Sequence, residues 1–179
     1  CEEIASGAPE LPFYYYHIPA FNGAFLPMVE LLKAVDGRIP NFAGIKDTVD
    51  CQSHTRSMIQ TTRAVRKDFA VLSGYDEYYI PNLLAGGAGI ISGLNNVMPE
   101  LFVHAREAFK QGDLAALRDI QDKIGTYMSI YAIGEDFVTT IKTVVSRKFG
   151  DCTGVSRNAG GELNEGECRT TDEVFVVKA

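Results

Sequence analysis

The sequence predicts an α/β fold built on a parallel sheet, and three features carry that expectation. Short apolar runs alternate four times with helix-length amphipathic stretches in the first part of the chain. No hairpin turn signal falls inside that region. Each run also stops at polar residues, as strands do where a parallel sheet presents its carboxyl ends. Two architectures satisfy the pattern: an open doubly wound sheet, or half of an eight-stranded barrel.

The elements follow in order. Cys1 to Gly7 reads as the last turns of a helix ended by glycine, an opening that suggests sequence upstream. Phe13-Tyr14-Tyr15-Tyr16-His17-Ile18 is rich in strand-forming aromatics, stops at Pro19, and is expected to be buried on both faces. Pro27 suits a first helical turn, after which Met28, Leu31, Leu32 and Val35 recur at helical spacing up to Gly37. Phe42 to Lys46 is the second strand. Ser53 is expected to cap a helix carrying Met58, Ile59, Thr62 and Val65. Phe69 to Ser73 is the third strand, ended by Gly74-Tyr75-Asp76-Glu77. A helix through Ile80, Leu83 and Leu84 reaches Gly86-Gly87, and Gly89 to Ser92 is the fourth strand.

Beyond Pro99 the pattern turns purely helical. Leu101, Phe102, Ala105 and Phe109 define one helix up to Gly112, and Asp113 can cap a second through Leu114, Leu117, Ile120 and Ile124. Glu135-Asp136 begin a third, using Phe137, Ile141, Val144 and Val145. The stretch from Gly150 to Gly166 lacks periodicity and reads as a surface tail. Its Gly160-Gly161 pair lies in no strand-to-helix turn, so it does not read as a phosphate cradle. Val174 to Val177 could form a final edge strand. The expected organisation is a strand–helix alternating part over 1–97, a helical segment over 98–150 and a tail over 151–179.

Composition narrows the function. The chain has 179 residues, a formal net charge of −6 and 46% hydrophobic content. An acidic chain lacks the basic face of a general nucleic-acid binder. No apolar run approaches the ~20 residues of a membrane helix, and no signal peptide is visible. Four cysteines, at 1, 51, 152 and 168, show no metal-binding spacing. Scattered thiols favour a reducing, cytoplasmic compartment. The three histidines, His17, His54 and His104, are scattered as well and are assigned no chemistry.

Lys46 is the residue with the clearest chemical potential, because it ends an apolar strand. A solvated lysine has a pKa of ~10.4 and is almost wholly protonated at neutral pH, so attack on a carbonyl requires an apolar setting that disfavours the ammonium. A surface lysine closing a strand is the commonplace alternative. Its company on the expected rim of strand ends is Tyr16, Asp76 with Glu77, and Ser92. A tyrosine there can relay a proton, and two carboxylates can accept hydrogen bonds from a polyhydroxylated ligand. Against these stand ordinary readings: packing for Tyr16, a response to the helix dipole for Asp76 and Glu77, and turn or cap duty for Thr48 and Ser92. Together the groups read as carbonyl chemistry at a rim of strand ends.

Four blocks, Tyr14-Tyr15-Tyr16-His17-Ile18-Pro19-Ala20, Gly44-Ile45-Lys46-Asp47-Thr48, Gly74-Tyr75-Asp76-Glu77 and Gly89-Ile90-Ile91-Ser92-Gly93, resemble the N-acetylneuraminate lyase and dihydrodipicolinate synthase superfamily in order and spacing. The resemblance implies strands five to eight of a (β/α)8 TIM barrel followed by C-terminal helices, over about residues 1 to 150, and so makes the 1–97 part a half-barrel. It makes Lys46 the Schiff-base lysine and Tyr16 the proton-relaying tyrosine. Thr48, Gly74, Asp76, Glu77 and Ser92 match positions lining the sugar-binding end. The turn at Gly74 to Glu77 looks more like the lyase branch than the Gly-Asp-Asp-like turn of the synthases. The first four strands, with the loop that grips the keto acid's carboxylate, have no counterpart here, and Gly93-Leu94-Asn95-Asn96 departs from the lyase pattern.

The expected function is therefore a class I aldolase of sialic acid catabolism, splitting N-acetylneuraminate into pyruvate and N-acetylmannosamine without metal or organic cofactor. Its expected partners are a small keto acid or sugar acid and further copies of itself, as a dimer or tetramer. The alternatives are a related pyruvate-dependent aldolase or synthase, acting on a 2-keto-3-deoxy sugar acid or on aspartate semialdehyde, and an inactive half-barrel serving as an assembly module.

Overall fold

Residues 1–35, 37–150, 154, 156–157 and 161–176 are described by the structure, a computed structural model. Asp36, Cys152, the Gly160 of the glycine pair and Val177 lie outside the described residues. The chain divides into two compact units, Cys1–Ile91 and Ser92–Ala179.

The first unit opens with α1 (Glu2–Ser6) and β1 (Phe13–His17), continues through α2 (Pro19–Asn22) and α3 (Met28–Val35), and reaches β2 (Phe42–Asp47). It goes on with α4 (Gln52–Val65), β3 (Ala70–Ser73), α5 (Tyr79–Ala85) and the short β4 (Gly89–Ile90). The sheet order is β1-β2-β3-β4, every pair parallel. Each strand lies beside the one before it, whereas a doubly wound sheet reverses its order at a switch point. The fold is therefore α/β with a partial-barrel sheet.

Among the described residues of the first unit, the helices α3 and α4 pack on one side of this sheet. Met28 and Leu32 of α3 and Met58 and Ile59 of α4 pack with Phe42, Ile45 and Val71 from the strands. Fully burying side chains of this size contributes about 1.5–3 kcal/mol each. Alternation along a strand then puts the next residues on the uncovered side. Tyr14 and Tyr16 are accordingly 42% and 44% exposed, which corrects the expectation that the first strand is buried on both faces. Asn41 ties down the approach to β1, its amide donating to the carbonyls of Ala5, Ala8 and Leu11.

One expected cap is displaced. Cys51, in extended conformation, is the N-cap of α4 and its carbonyl accepts from the Thr55 amide, so Ser53 sits inside the first turn. The helix starts earlier than Ser53 because nothing between Cys51 and Ser53 disfavours helical backbone.

The second unit is helical: α6 (Pro99–Gln111), α7 (Leu114–Tyr127), α8 (Phe137–Phe149) and α9 (Glu165–Thr171). Asp113 caps α7 by accepting from the Ala116 amide, and Asp136 caps α8 by accepting from Val138 and Thr139, as those positions predict. The tail departs from expectation twice. Asn164 and Glu167 form a reciprocal capping box that starts α9. The candidate edge strand is instead a π-helical turn, Asp172–Val176. It continues α9, buries Phe175 to 1% exposure beside Tyr127, and anchors Asp172 to Arg147 of α8. Helical continuation satisfies its backbone locally, which an isolated four-residue strand cannot do.

Candidate active site

Tyr16 and Lys46 are register partners on adjacent parallel strands. In-register neighbours share a face, so both side chains leave the sheet on its uncovered side. Lys46 Nζ stands 4.0 Å from the centroid of the Tyr16 ring. Such a cation–π contact is worth about 0.5–1 kcal/mol at an exposed site, enough to bias the lysine rotamer toward the tyrosine. Lys46 is half-buried and Tyr16 exposed, so these residues alone do not form the dry pocket that the amine chemistry calls for. Gly44, two residues earlier on β2, lets the sheet close: a side chain there would run into the Ala70 carbonyl and the Tyr14 ring.

The other sequence-derived candidates divide. Thr48 follows the strand end, its amide donating to the His17 carbonyl at 2.8 Å. Its Oγ1 is buried and has no hydrogen-bond partner, a condition that costs about 1–3 kcal/mol unless something fills it. Gly74 belongs to the same corner, because a Cβ there would fall on the Thr48 hydroxyl and within 3.0 Å of the Asp47 carbonyl. Asp76 and Glu77 start the 3-10 turn Asp76–Tyr78, where Asp76 is 2% exposed and Glu77 is open to solvent. Ser92 opens the second unit, half-buried, with its carbonyl accepting from the Asn96 side-chain Nδ2 at 3.2 Å.

Residues that the sequence did not single out stand near this rim. The Tyr78 hydroxyl donates to Asp50 Oδ1 at 2.6 Å, which pushes the phenol up to about 12. The Tyr75 ring packs against Tyr78 at 5.4 Å, and its phenol is also raised, first by burial and then by the charges of Asp50 and Tyr16. The Ser53 hydroxyl beside Cys51 holds that thiol below its ordinary range, aided by the His54 amide.

Two of the three scattered histidines, His17 and His54, converge, contrary to their reading from sequence. His17 Nδ1 lies 2.9 Å from Asp47 Oδ1, with both side chains fully buried on the helix-covered face. Thr55 Oγ1 donates to Asp47 Oδ2 at 2.6 Å, and the Leu26 amide donates to His17 Nε2 at 3.4 Å. His54 Nε2 is 3.8 Å from Asp47 Oδ1. The signal was present in the sequence: each polar residue directly follows one member of the lysine–tyrosine pair, and parallel pairing sets the two side by side.

A lysine and a tyrosine side by side at the carboxyl end of a partial-barrel sheet invite comparison with known proteins. The profile of the Dihydrodipicolinate synthetase family matches residues 1–162. The chain belongs to this family. It is 37% identical over 132 residues to the probable 2-dehydro-3-deoxy-D-pentonate aldolase YjhH of Escherichia coli, covering 74% of this chain and 44% of that protein. It is 34% identical over 149 residues to the N-acetylneuraminate lyase of Rattus norvegicus, covering 80% and 45%. Among solved structures, YagE of E. coli in complex with pyruvate superposes with a TM-score of 0.83 at 30% identity, covering 93% of this chain and 57% of that one. The chain thus spans about half the length of the curated relatives it matches. These relatives place it in a family of lyases and aldolases; no helix among its described residues is long and apolar enough to cross a membrane.

Proposed function

We propose that this chain carries the Schiff-base half of a class I aldolase that releases pyruvate from a 2-keto-3-deoxy acid. The observation that carries the reading is the Lys46–Tyr16 juxtaposition on one open sheet face. The unpartnered Thr48 hydroxyl two residues on supports it. Neutral Lys46 adds to the substrate ketone, and loss of water from the protonated carbinolamine gives an iminium. Tyr16 relays the proton of the hydroxyl next to the scissile bond, handing its own phenolic proton to the substrate carboxylate as it accepts that one; the carbon–carbon electron pair flows into the iminium, and the aldehyde leaves. Protonation of the resulting enamine and hydrolysis return pyruvate and the free lysine. The chemistry so written uses no metal and no organic cofactor. Thr48 supplies a hydrogen bond to the bound acid, and Gly74 keeps that hydroxyl clear.

The activity is proposed for the protein in which the uncovered face bearing Tyr14, Tyr16 and Lys46 is closed over by further barrel strands, because the lysine needs exclusion from water. The cytoplasm is the proposed compartment, supported by the free thiols of Cys1, Cys51 and Cys168; a homo-oligomer is the proposed assembly. N-acetylneuraminate is the proposed substrate, on the lyase-like turn Gly74 to Glu77 and the similarity to the rat lyase. A 2-keto-3-deoxy pentonate or gluconate is the second reading, favoured by the similarity to YjhH and YagE. An assembly module without catalysis is the competing class.

Incubation with pyruvate and borohydride, followed by peptide mass analysis, tests the proposal. A reduced adduct is expected on the peptide bearing Lys46 and is expected to vanish in Lys46→Ala. An unmodified lysine in the protein carrying the closed barrel would overturn it. Cleavage assays with N-acetylneuraminate and with the two deoxy acids decide between the substrates.

A further inference from the structure

We propose that the buried chain Leu26–His17–Asp47–Thr55 is a positioning device for the Lys46–Tyr16 pair. The inference rests on the Schiff-base reading of that pair. His17 and Asp47 occupy the next register step after Tyr16 and Lys46, on the opposite face of the same two strands. The chain therefore has a reacting pair in front of the sheet and a hydrogen-bonded pair directly behind it.

The protonation pattern follows from the donors. The Leu26 amide donates to Nε2, so the imidazole carries its proton on Nδ1 and donates to Asp47 Oδ1. The other carboxylate oxygen accepts from Thr55, in the first turns of α4. The backbone of the same residues continues the tie, with the Thr48 amide on the His17 carbonyl and the Gly74 amide on the Asp47 carbonyl. Three strands and one helix are thus fastened where the lysine and tyrosine leave the sheet.

Apolar residues at these two positions would pack without the desolvation that a buried carboxylate and imidazole incur. What the polar pair adds is lateral position, and a misplacement of about 1 Å at a reacting centre can cost about 100-fold in rate. A cation is the rival occupant, since His17, Asp47 and His54 each offer a ligand atom, all within 4.8 Å of one another. The Leu26 amide on Nε2 leaves His17 only Nδ1 to offer, and a cation there would have to displace the proton shared with Asp47.

The test uses Asp47→Asn, His17→Ala and His17→Asn in the whole protein that carries this chain. The asparagine at 17 can restore an N–H toward Asp47. The readouts are the rate of borohydride trapping at saturating pyruvate, the pyruvate concentration at half-saturation, and the melting temperature with and without zinc. Asp47→Asn and His17→Ala are expected to slow trapping by about 10- to 100-fold while half-saturation moves by less than about threefold, with partial rescue in His17→Asn. Unchanged trapping in the variants, whatever happens to melting, would show the chain to be structural only and overturn the proposal. Zinc raising the melting temperature of the wild type but not of His17→Ala would also overturn it, in favour of a metal site. No adduct in the wild type would instead bring down the Schiff-base reading itself, and this proposal with it.

Discussion

Lys46 Nζ lies over the ring of Tyr16, 4.0 Å from its centroid, and the two residues are partners in register on neighbouring parallel strands. The amine therefore meets the face of the phenol, and the hydroxyl is free to serve another group. Removing only that oxygen separates the two contributions. In Tyr16→Phe the ring still seats the lysine, so the pyruvate adduct is expected to form, while carbon–carbon cleavage falls by about 10²- to 10⁴-fold, the usual range for a lost proton-transfer group. Trapping yield and steady-state cleavage, measured side by side, check this.

Gly74 and Thr48 compete for one volume. Gly74→Ala is expected to destabilise the protein by about 1–3 kcal/mol, the range for inserting a methyl into a filled corner. Adding Thr48→Ala should return part of that stability, because it removes the colliding hydroxyl, but should not restore substrate affinity. Denaturant titrations of the single and double variants give the comparison.

The Tyr78–Asp50 bond sets a pH dependence. The phenol is pushed up to about 12 in the folded chain, above the ~10 of an unfolded tyrosine. Its stabilising contribution is therefore fully present below about pH 10 and is lost as pH rises through the folded value. Phenolate absorbance should show late titration of Tyr78, alongside the also raised Tyr75, and Asp50→Asn should move both toward the ordinary range.

Lys148 is a buried cation whose partners are complete. Its side chain is 8% exposed, and Nζ donates to the Val97 carbonyl and Glu100 Oε1, both at 2.9 Å, and to Met98 Sδ at 3.2 Å. Lys148→Met keeps the stem but strands the carbonyl, at an expected cost of about 1–3 kcal/mol. Hydrogen exchange at the start of α6 should rise in that variant.

The alternation of strands and helices, the caps at Asp113 and Asp136, and the pairing of Tyr16 with Lys46 were all legible in the residue order. Each depends on local spacing or on the period of an element. The tail was less legible: the Asn164–Glu167 box carried a helix signal, yet the apolar run after it suggested a strand. Among the described residues every strand belongs to the sheet of the first unit, and a turn continuing the helix satisfied the backbone instead.

The sequence by itself determined the parallel α/β character, the family and the chemical candidate, because periodicity and a few motif blocks encode them directly. Only the tertiary structure decided which face of the sheet is covered, which hydroxyl is left without a partner, and that His17, Asp47 and Thr55 meet behind the reacting pair. Those facts depend on register between strands and on which helix packs where, relations between distant residues that no single stretch of chain contains.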